Sequence, residues 1–220
     1  MREVFQQDLA EVQTGLVGLS QQVLDAMRNA TAAMAHSDIS LAEQVISDDI
    51  RIDEETARID DLTVEILLLQ APVARDLRFI ISTMRIGASL ERMGDLASHV
   101  AQLARLRFPE FVGPEDLRAS FLRAGELCIA QAEKVHRLLD TEEEALIDDI
   151  IDSDDEIDNL HKEVLDSLTA HGDQGEAPSL QIVDATLANR YFERFSDHCV
   201  SIARRMRYLQ SGVAPESPSA

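Results

Sequence analysis

The 220-residue chain has no tryptophan, two tyrosines and two cysteines. Cys128 and Cys199 lie far apart and form no CxxC pair, which excludes a disulfide framework and a cysteine-rich zinc site. So few aromatic residues and so few β-branched runs leave little raw material for sheet. No apolar run approaches the roughly 20 residues that span a bilayer; the densest is Ile66-Leu67-Leu68-Leu69. The segment Met1–Asp8 lacks the apolar core of a signal peptide, so the chain reads as cytosolic and not inserted in a membrane. Positive charge is scarce too: 20 basic residues, of which only Lys134 and Lys162 are lysines, stand against 41 acidic ones, for a net charge of -21. That balance excludes the basic footprint of a nucleic-acid-binding protein. It also opposes docking on anionic lipid, unless one basic patch escapes the mean, and it suits cations or basic partners. Neither a phosphate-cradling glycine loop nor a Ser-His-Asp arrangement is present.

What is present is helical periodicity. Phe5, Leu9, Val12, Leu16, Leu19, Val23, Met27, Ala30 and Met34 recur at steps of three and four, which predicts a helix over about 3–35. Ser37-Asp38, with Glu43 nearby, reads as the start of a second helix to about 70, which Pro72 ends. A third runs to about 107, before Phe108-Pro109 and Gly113-Pro114, the largest internal break. Further helices are predicted over about 115–140, 142–170 and 180–210, followed by a linker-like tail. Phe5, Phe121, Tyr191 and Phe195 fall on the apolar stripes and read as core.

The two halves repeat each other. Val45–Asp53 aligns with Ile150–Asp158, and Glu91–Asp95 with Glu193–Asp197. A period near 100 residues is too long for a solenoid. The predicted fold is therefore all-α, two tandem antiparallel three-helix bundles joined end to end: residues 1–110, residues 111–210 and a flexible tail at 211–220.

Asp49 and Asp53 are spaced i,i+4 and share a helix face, as do Glu91 and Asp95, Asp154 and Asp158, and Glu193 and Asp197. An isolated pair of this kind is commonplace in so acidic a chain, and the bland reading of one is a solvated face. Their placement is more specific. Asp53 lies 19 residues before Pro72 and Glu91 lies 19 after it, while Asp49 and Asp95 lie 23 before and after. Equal counts from a hairpin turn mean equal height, about 28 Å at 1.5 Å per residue. The second set is as symmetric, since both of its pairs centre on position 175.5, inside the second turn. Four carboxylates at one height repel one another unless a cation offsets the charge. Oxygen donors without cysteine suit Mg²⁺, Mn²⁺, Ca²⁺ or iron, and zinc less well. The alternative is partial neutralisation by Arg92 and Arg194, the arginines that follow each glutamate.

Val45-Ile46-x-x-Asp49-x-x-Ile52-Asp53, Pro72-Val73-Ala74-x-Asp76-Leu77-Arg78, Leu90-Glu91-Arg92-Met93-Gly94-Asp95 and its echo Phe192-Glu193-Arg194-Phe195-Ser196-Asp197-His198 resemble the PhoU family of phosphate-transport accessory proteins. The likeness runs to about residue 210. It implies two three-helix bundles and multinuclear clusters of divalent metal (Mg, Mn, Fe or Zn) on E(D)xxxD pairs. Those pairs are Asp49/Asp53 with Glu91/Asp95, and Asp154/Asp158 with Glu193/Asp197. It implies a regulator and not an enzyme, commonly a homodimer. Such a regulator restrains uptake by the phosphate ABC transporter, through its ATPase subunit, and holds the phosphate-sensing histidine kinase off when phosphate is plentiful. Ser196 departs from the repeat, standing where the first half has Gly94, and implies a looser backbone approach there.

Two other readings compete. One is a helical scaffold or adaptor without metal. The other is a ferritin-like di-iron oxidase, which needs two Glu-x-x-His motifs. Glu133-Lys134-Val135-His136 supplies one, and Asp158-Asn159-Leu160-His161 an imperfect second. His99 and His198 neighbour the acidic pairs, but lone helical histidines are more often boundary residues and are not assigned to the site.

Overall fold

The computed structural model describes residues 2–175 and 177–213 and is helical throughout, with no strand among the described residues. The first half contains α1 (Arg2–His36), α2 (Ile39–Gln70) and α3 (Ala74–Arg107). A single 3-10 turn, Glu115–Leu117, leads into α4 (Arg118–Thr141), followed by α5 (Ala145–Asp152), α6 (Asp154–Gln174) and α7 (Ser179–Ser211).

The helix ends follow from local chemistry. The Asp38 carboxylate accepts the Leu41 N–H at 3.0 Å and caps α2, as the Ser37-Asp38 signal predicts. Pro72 disfavours the α conformation at the residue before it, and α2 stops at Ala71 with φ 44°. Gly175 closes α6 at φ 66°, a left-handed position that suits glycine.

One predicted helix is divided. The segment expected over about 142–170 breaks at Ser153 into α5 and α6. The Ser153 hydroxyl turns back to donate to the Ile150 carbonyl at 3.0 Å, competing with the helical ladder. Asp154, Asp155 and Glu156 then open α6, where the partial positive charge of a fresh helix N-terminus favours acids.

The arrangement of the halves also differs from expectation. They lie side by side, and not end to end. The order of neighbours is α2–α3–α7–α6, with α1 behind the first pair and α4 behind the second, and α1 packs on α4. One apolar core runs through both halves, from Val12 and Leu16 of α1 through Phe121 of α4 to Phe192 and Phe195 of α7. Each such side chain, fully buried, contributes about 1.5–3 kcal/mol. The side-by-side packing wins because the stripes of α1, α3, α4 and α7 are too wide to be covered within one three-helix unit. Helices α3 and α7 run antiparallel across the seam, since Arg85 meets Arg205, His99 stacks on Tyr191, and Arg107 ion-pairs with Asp184. Of the tail predicted at 211–220, Ser211 still belongs to α7, and residues 214–220 lie outside the described residues.

Candidate functional site

The two predicted carboxylate groups form at the α2–α3 and α6–α7 contacts, at matching heights on the outer layer. In the first, Asp49, Glu91 and Asp95 are partly buried and Asp53 is exposed. Burial raises the Asp49 carboxyl above its ordinary range, with Asp95 and Asp53 adding to the rise; a hydrogen bond from Ser98 and the nearby His99 act against it. Burial also raises Glu91, opposed by Arg92 and reinforced by Asp95, Asp53 and Asp60. The four acids therefore feel one another across the helix pair, as equal counts from Pro72 predict.

The second group repeats the pattern with different supports. Burial raises Asp154, helped by Asp158 and Asp197 and opposed by the Ser196 hydroxyl and Arg204. Burial raises Glu193 as well, with Asp197 and Asp158 adding to it and Arg190 and His161 countering. Ser196 Oγ lies 2.5 Å from Asp154 Oδ1 and 2.6 Å from Gln131 Oε1, with one proton to donate between them. The departure from glycine at 196 thus serves a purpose: the hydroxyl supports the first acid of its group. In the first half Gly94 is needed for close approach, since a Cβ there would stand 2.9 Å from Ile52 Cδ1. Ser98, one turn farther along α3, supports Asp49 instead.

Arginines neutralise part of each group. Arg92 pairs with Asp95 at 2.8 Å and reaches toward Glu91. In the second half the partner is not Arg194, as expected from the repeat, but Arg190, which donates to both Glu193 oxygens at 2.6 Å. Arg190 lies one turn before the glutamate on the same face, whereas Arg194 points toward the α3–α7 seam beside His198. As they stand, no three or more His, Cys, Asp and Glu among the described residues lie close enough together to hold a metal ion.

Two buried atoms next to the groups lack a hydrogen-bond partner: Asp60 Oδ1 on α2, near Glu91, and His161 Nδ1 on α6, near Glu193. Neither residue was assigned to the site from sequence. Asp60 lies two turns from Asp53 on one face, a spacing visible in the sequence, while the approach of His161 to Glu193 depends on how α6 packs against α7. Carboxylates raised by burial, with orphaned donors beside them, are the chemistry that a hard divalent cation satisfies. The di-iron arrangement does not assemble. Glu133 is held by Arg28 at 2.5 Å, and His136 Nδ1 lies 2.9 Å from the Ser20 hydroxyl, both at the α1–α4 contact.

Phe121 and Phe195 are buried as predicted, Phe5 packs partly against the core, and Tyr191 stacks on His99 with ring centres 5.1 Å apart. Cys128 and Cys199 are fully buried and unbonded to each other, and burial pushes both thiols up, out of the reactive range. Among the described residues no helix is long and apolar enough to cross a membrane.

Comparison with known proteins bears on the family and the fold. The family model described as PhoU domain matches twice, over residues 16–104 and 121–206. The chain is 36% identical over 217 residues to the phosphate-specific transport system accessory protein PhoU homolog 1 of Mycobacterium leprae, covering 98% of this chain and 96% of that one. It is 35% identical over 219 residues to PhoU homolog 2 of Mycobacterium tuberculosis, covering 98% and 100%. The crystal structure of PhoU from Pseudomonas aeruginosa superposes with a TM-score of 0.89 at 28% identity, over 95% of this chain and all of that one. The PhoU structure from Streptococcus pneumoniae, at 24% identity, shares the fold with a TM-score of 0.87, over 97% of this chain and 100% of that one.

Proposed function

The chain belongs to the PhoU family, and from that premise we propose that it is a cytoplasmic regulator that restrains phosphate uptake and represses the phosphate-starvation response. It works through protein contacts, with the ATPase subunit of a phosphate ABC transporter and with a phosphate-sensing histidine kinase, and as a homodimer. The observation that carries this reading is the similarity over 98% of the chain to proteins named as accessory to phosphate-specific transport. Nothing in the reading calls for a catalytic residue, and each repeat, 1–110 and 111–210, contributes one half of the working surface.

The carboxylate groups are the second part of the proposal. Asp49, Asp53, Glu91 and Asp95 would hold divalent metal at one site, and Asp154, Asp158, Glu193 and Asp197 at the other. A bound cation would offset the mutual repulsion of the acids and tie α2 to α3 and α6 to α7. The raised carboxyls of Asp49, Glu91, Asp154 and Glu193 support it, because burial and neighbouring acids disfavour their charge and a cation would offset both. For these carboxylates to converge, Arg92 and Arg190 swing outward, a change open to exposed guanidinium groups.

The test of the regulatory reading is a deletion strain. Loss of the protein should raise phosphate uptake and leave phosphate-starvation genes on in phosphate-rich medium, and the gene supplied in trans should reverse both. Normal uptake and normal repression in the deletion would remove the reading.

A further inference from the structure

Eleven of the chain's arginines lie on α3 and α7, against six acids on the same two helices, a surplus of five positive charges in a chain of net charge -21. Their pairing is uneven. Arg28, Arg51, Arg58, Arg118, Arg123 and Arg137, on α1, α2 and α4, each hold a carboxylate. On α3 and α7, by contrast, Arg75, Arg78, Arg85, Arg105, Arg194, Arg204 and Arg205 make no ion pair among the described residues. Of these, Arg85, Arg194 and Arg205 lie on the outward side of the α3–α7 seam and leave positive charge uncovered there.

That face is continuous. The outward residues of α3 run Leu77, Ile81, Arg85, Arg92, His99, Leu106 at helical spacing, and those of α7 run Leu180, Val183, Leu187, Arg194, His198, Arg205. Because the helices are antiparallel, the apolar residues gather at the two ends: Leu77 and Ile81 at one, Leu106, Val183 and Leu187 at the other. Between them stand Arg85, Arg194 and Arg205 without a carboxylate partner, beside Arg92, which pairs with Asp95. Arg85 and Arg205 face each other, and burial together with Arg85 holds Arg205 below the usual arginine range. His198 lies near Arg194 and Arg92 on the same side.

We propose that the outer groove between α3 and α7 docks an amphipathic helix of a partner protein, apolar at its two ends and acidic at its middle. The proposal rests on the reading above that the chain acts through protein contacts. A groove between two helices takes a third with axes about 8–10 Å away, and leucines spaced three and four apart are the anchors that such a helix presents. Charge complementarity sets the sign of its middle. The flanks decide against broader occupants. The two acidic groups border the seam on either side, so an anionic bilayer pressed on this face would meet them, while a single helix lies between them. A second copy related by a two-fold axis on the groove would set arginine against arginine.

The test uses the full chain and two labelled 24-residue helical peptides, with leucines at both ends and either glutamates or lysines at the centre. The glutamate peptide should bind at least tenfold more tightly than the lysine peptide, with an affinity that falls as salt rises. Arg85→Glu with Arg205→Glu should lower it at least tenfold, and Leu187→Ser should weaken it separately. Circular dichroism melts report whether the variants fold, and Arg85→Gln with Arg205→Gln gives a milder version of the same loss. Equal binding of the two peptides, no effect of the substitutions, or capture of phosphatidylglycerol vesicles through these residues in preference to the peptide overturns the proposal. In the deletion strain, the Arg85→Glu/Arg205→Glu protein should fail to restore repression. Restoration by that variant would show that the groove is not the regulatory contact. A deletion with no phenotype would sink the regulatory reading and leave the peptide result standing.

Discussion

Gly125 of α4 lies against Thr31 of α1 so closely that a Cβ at 125 would stand 2.4 Å from Thr31 Cγ2 and 3.1 Å from Thr31 Cβ. This contact is one point where the two halves of the chain meet. Gly125→Ala should therefore destabilise the protein by about 1–3 kcal/mol through overpacking, despite alanine's better helix propensity. Thr31→Ala in the same chain should recover part of the loss. Urea denaturation of the single and double variants measures both, and an unchanged midpoint for Gly125→Ala would mean that the halves do not approach this closely.

The ion pair of Arg107 with Asp184 also joins the halves, and Asp184 is 4% exposed. Arg107→Ala strands a buried carboxylate and should cost about 3–5 kcal/mol. Asp184→Leu together with Arg107→Met should cost much less, since no charge is then left buried. Thermal melts of the two variants should separate clearly; equal melts would show that solvent reaches Asp184.

Glu91→Ala with Asp95→Ala should abolish metal at the first acidic group only, and Glu193→Ala with Asp197→Ala at the second only. The check is metal content per chain, with melts in chelator and in added Mn²⁺, Mg²⁺ or Fe²⁺. Wild type should gain roughly 2.7 kcal/mol at one hundred times Kd, and each double variant should lose one site's share. Equal metal and equal melts in all three proteins would reduce both groups to solvated acidic faces.

Burial, with Asp61 beside it, raises the Asp60 carboxyl, and its Oδ1 has no hydrogen-bond partner. A folded-state pKa above the unfolded one contributes stability that is complete below the unfolded value, near pH 4, and is lost as pH rises through the folded one. Asp60→Asn should thus melt higher than wild type at neutral pH, and the gap should close toward pH 4. Melts of chelated protein across that range decide it: a gap that widens on acidification would reverse the assignment.

Ser196→Ala removes the hydroxyl that lies between Asp154 and Gln131. It should cost about 1 kcal/mol and raise the Asp154 carboxyl further. Ser98→Ala should do the same at Asp49. NMR titration of the two carboxyls reads the shift, and no movement in either would mean that water replaces the hydroxyl.

The sequence by itself determined the helical segments apart from the division at Ser153, their apolar stripes, the repeat and the matched heights of the carboxylates, because each depends on local spacing. Asp38 as a cap, Pro72 as a stop, and Asp53 level with Glu91 all follow from counting residues along one chain segment. The tertiary structure alone decided what meets across segments. The side-by-side packing of α1 on α4 and α3 on α7 rests on contacts such as Gly125 with Thr31 and Arg107 with Asp184, more than 70 residues apart in sequence. No periodicity encodes such contacts. The same holds for the arginines. The repeat made Arg194 the equivalent of Arg92, yet Arg190 takes the glutamate and Arg194 turns to the seam, since rotation of a helix against its neighbours fixes which side of it a charge occupies.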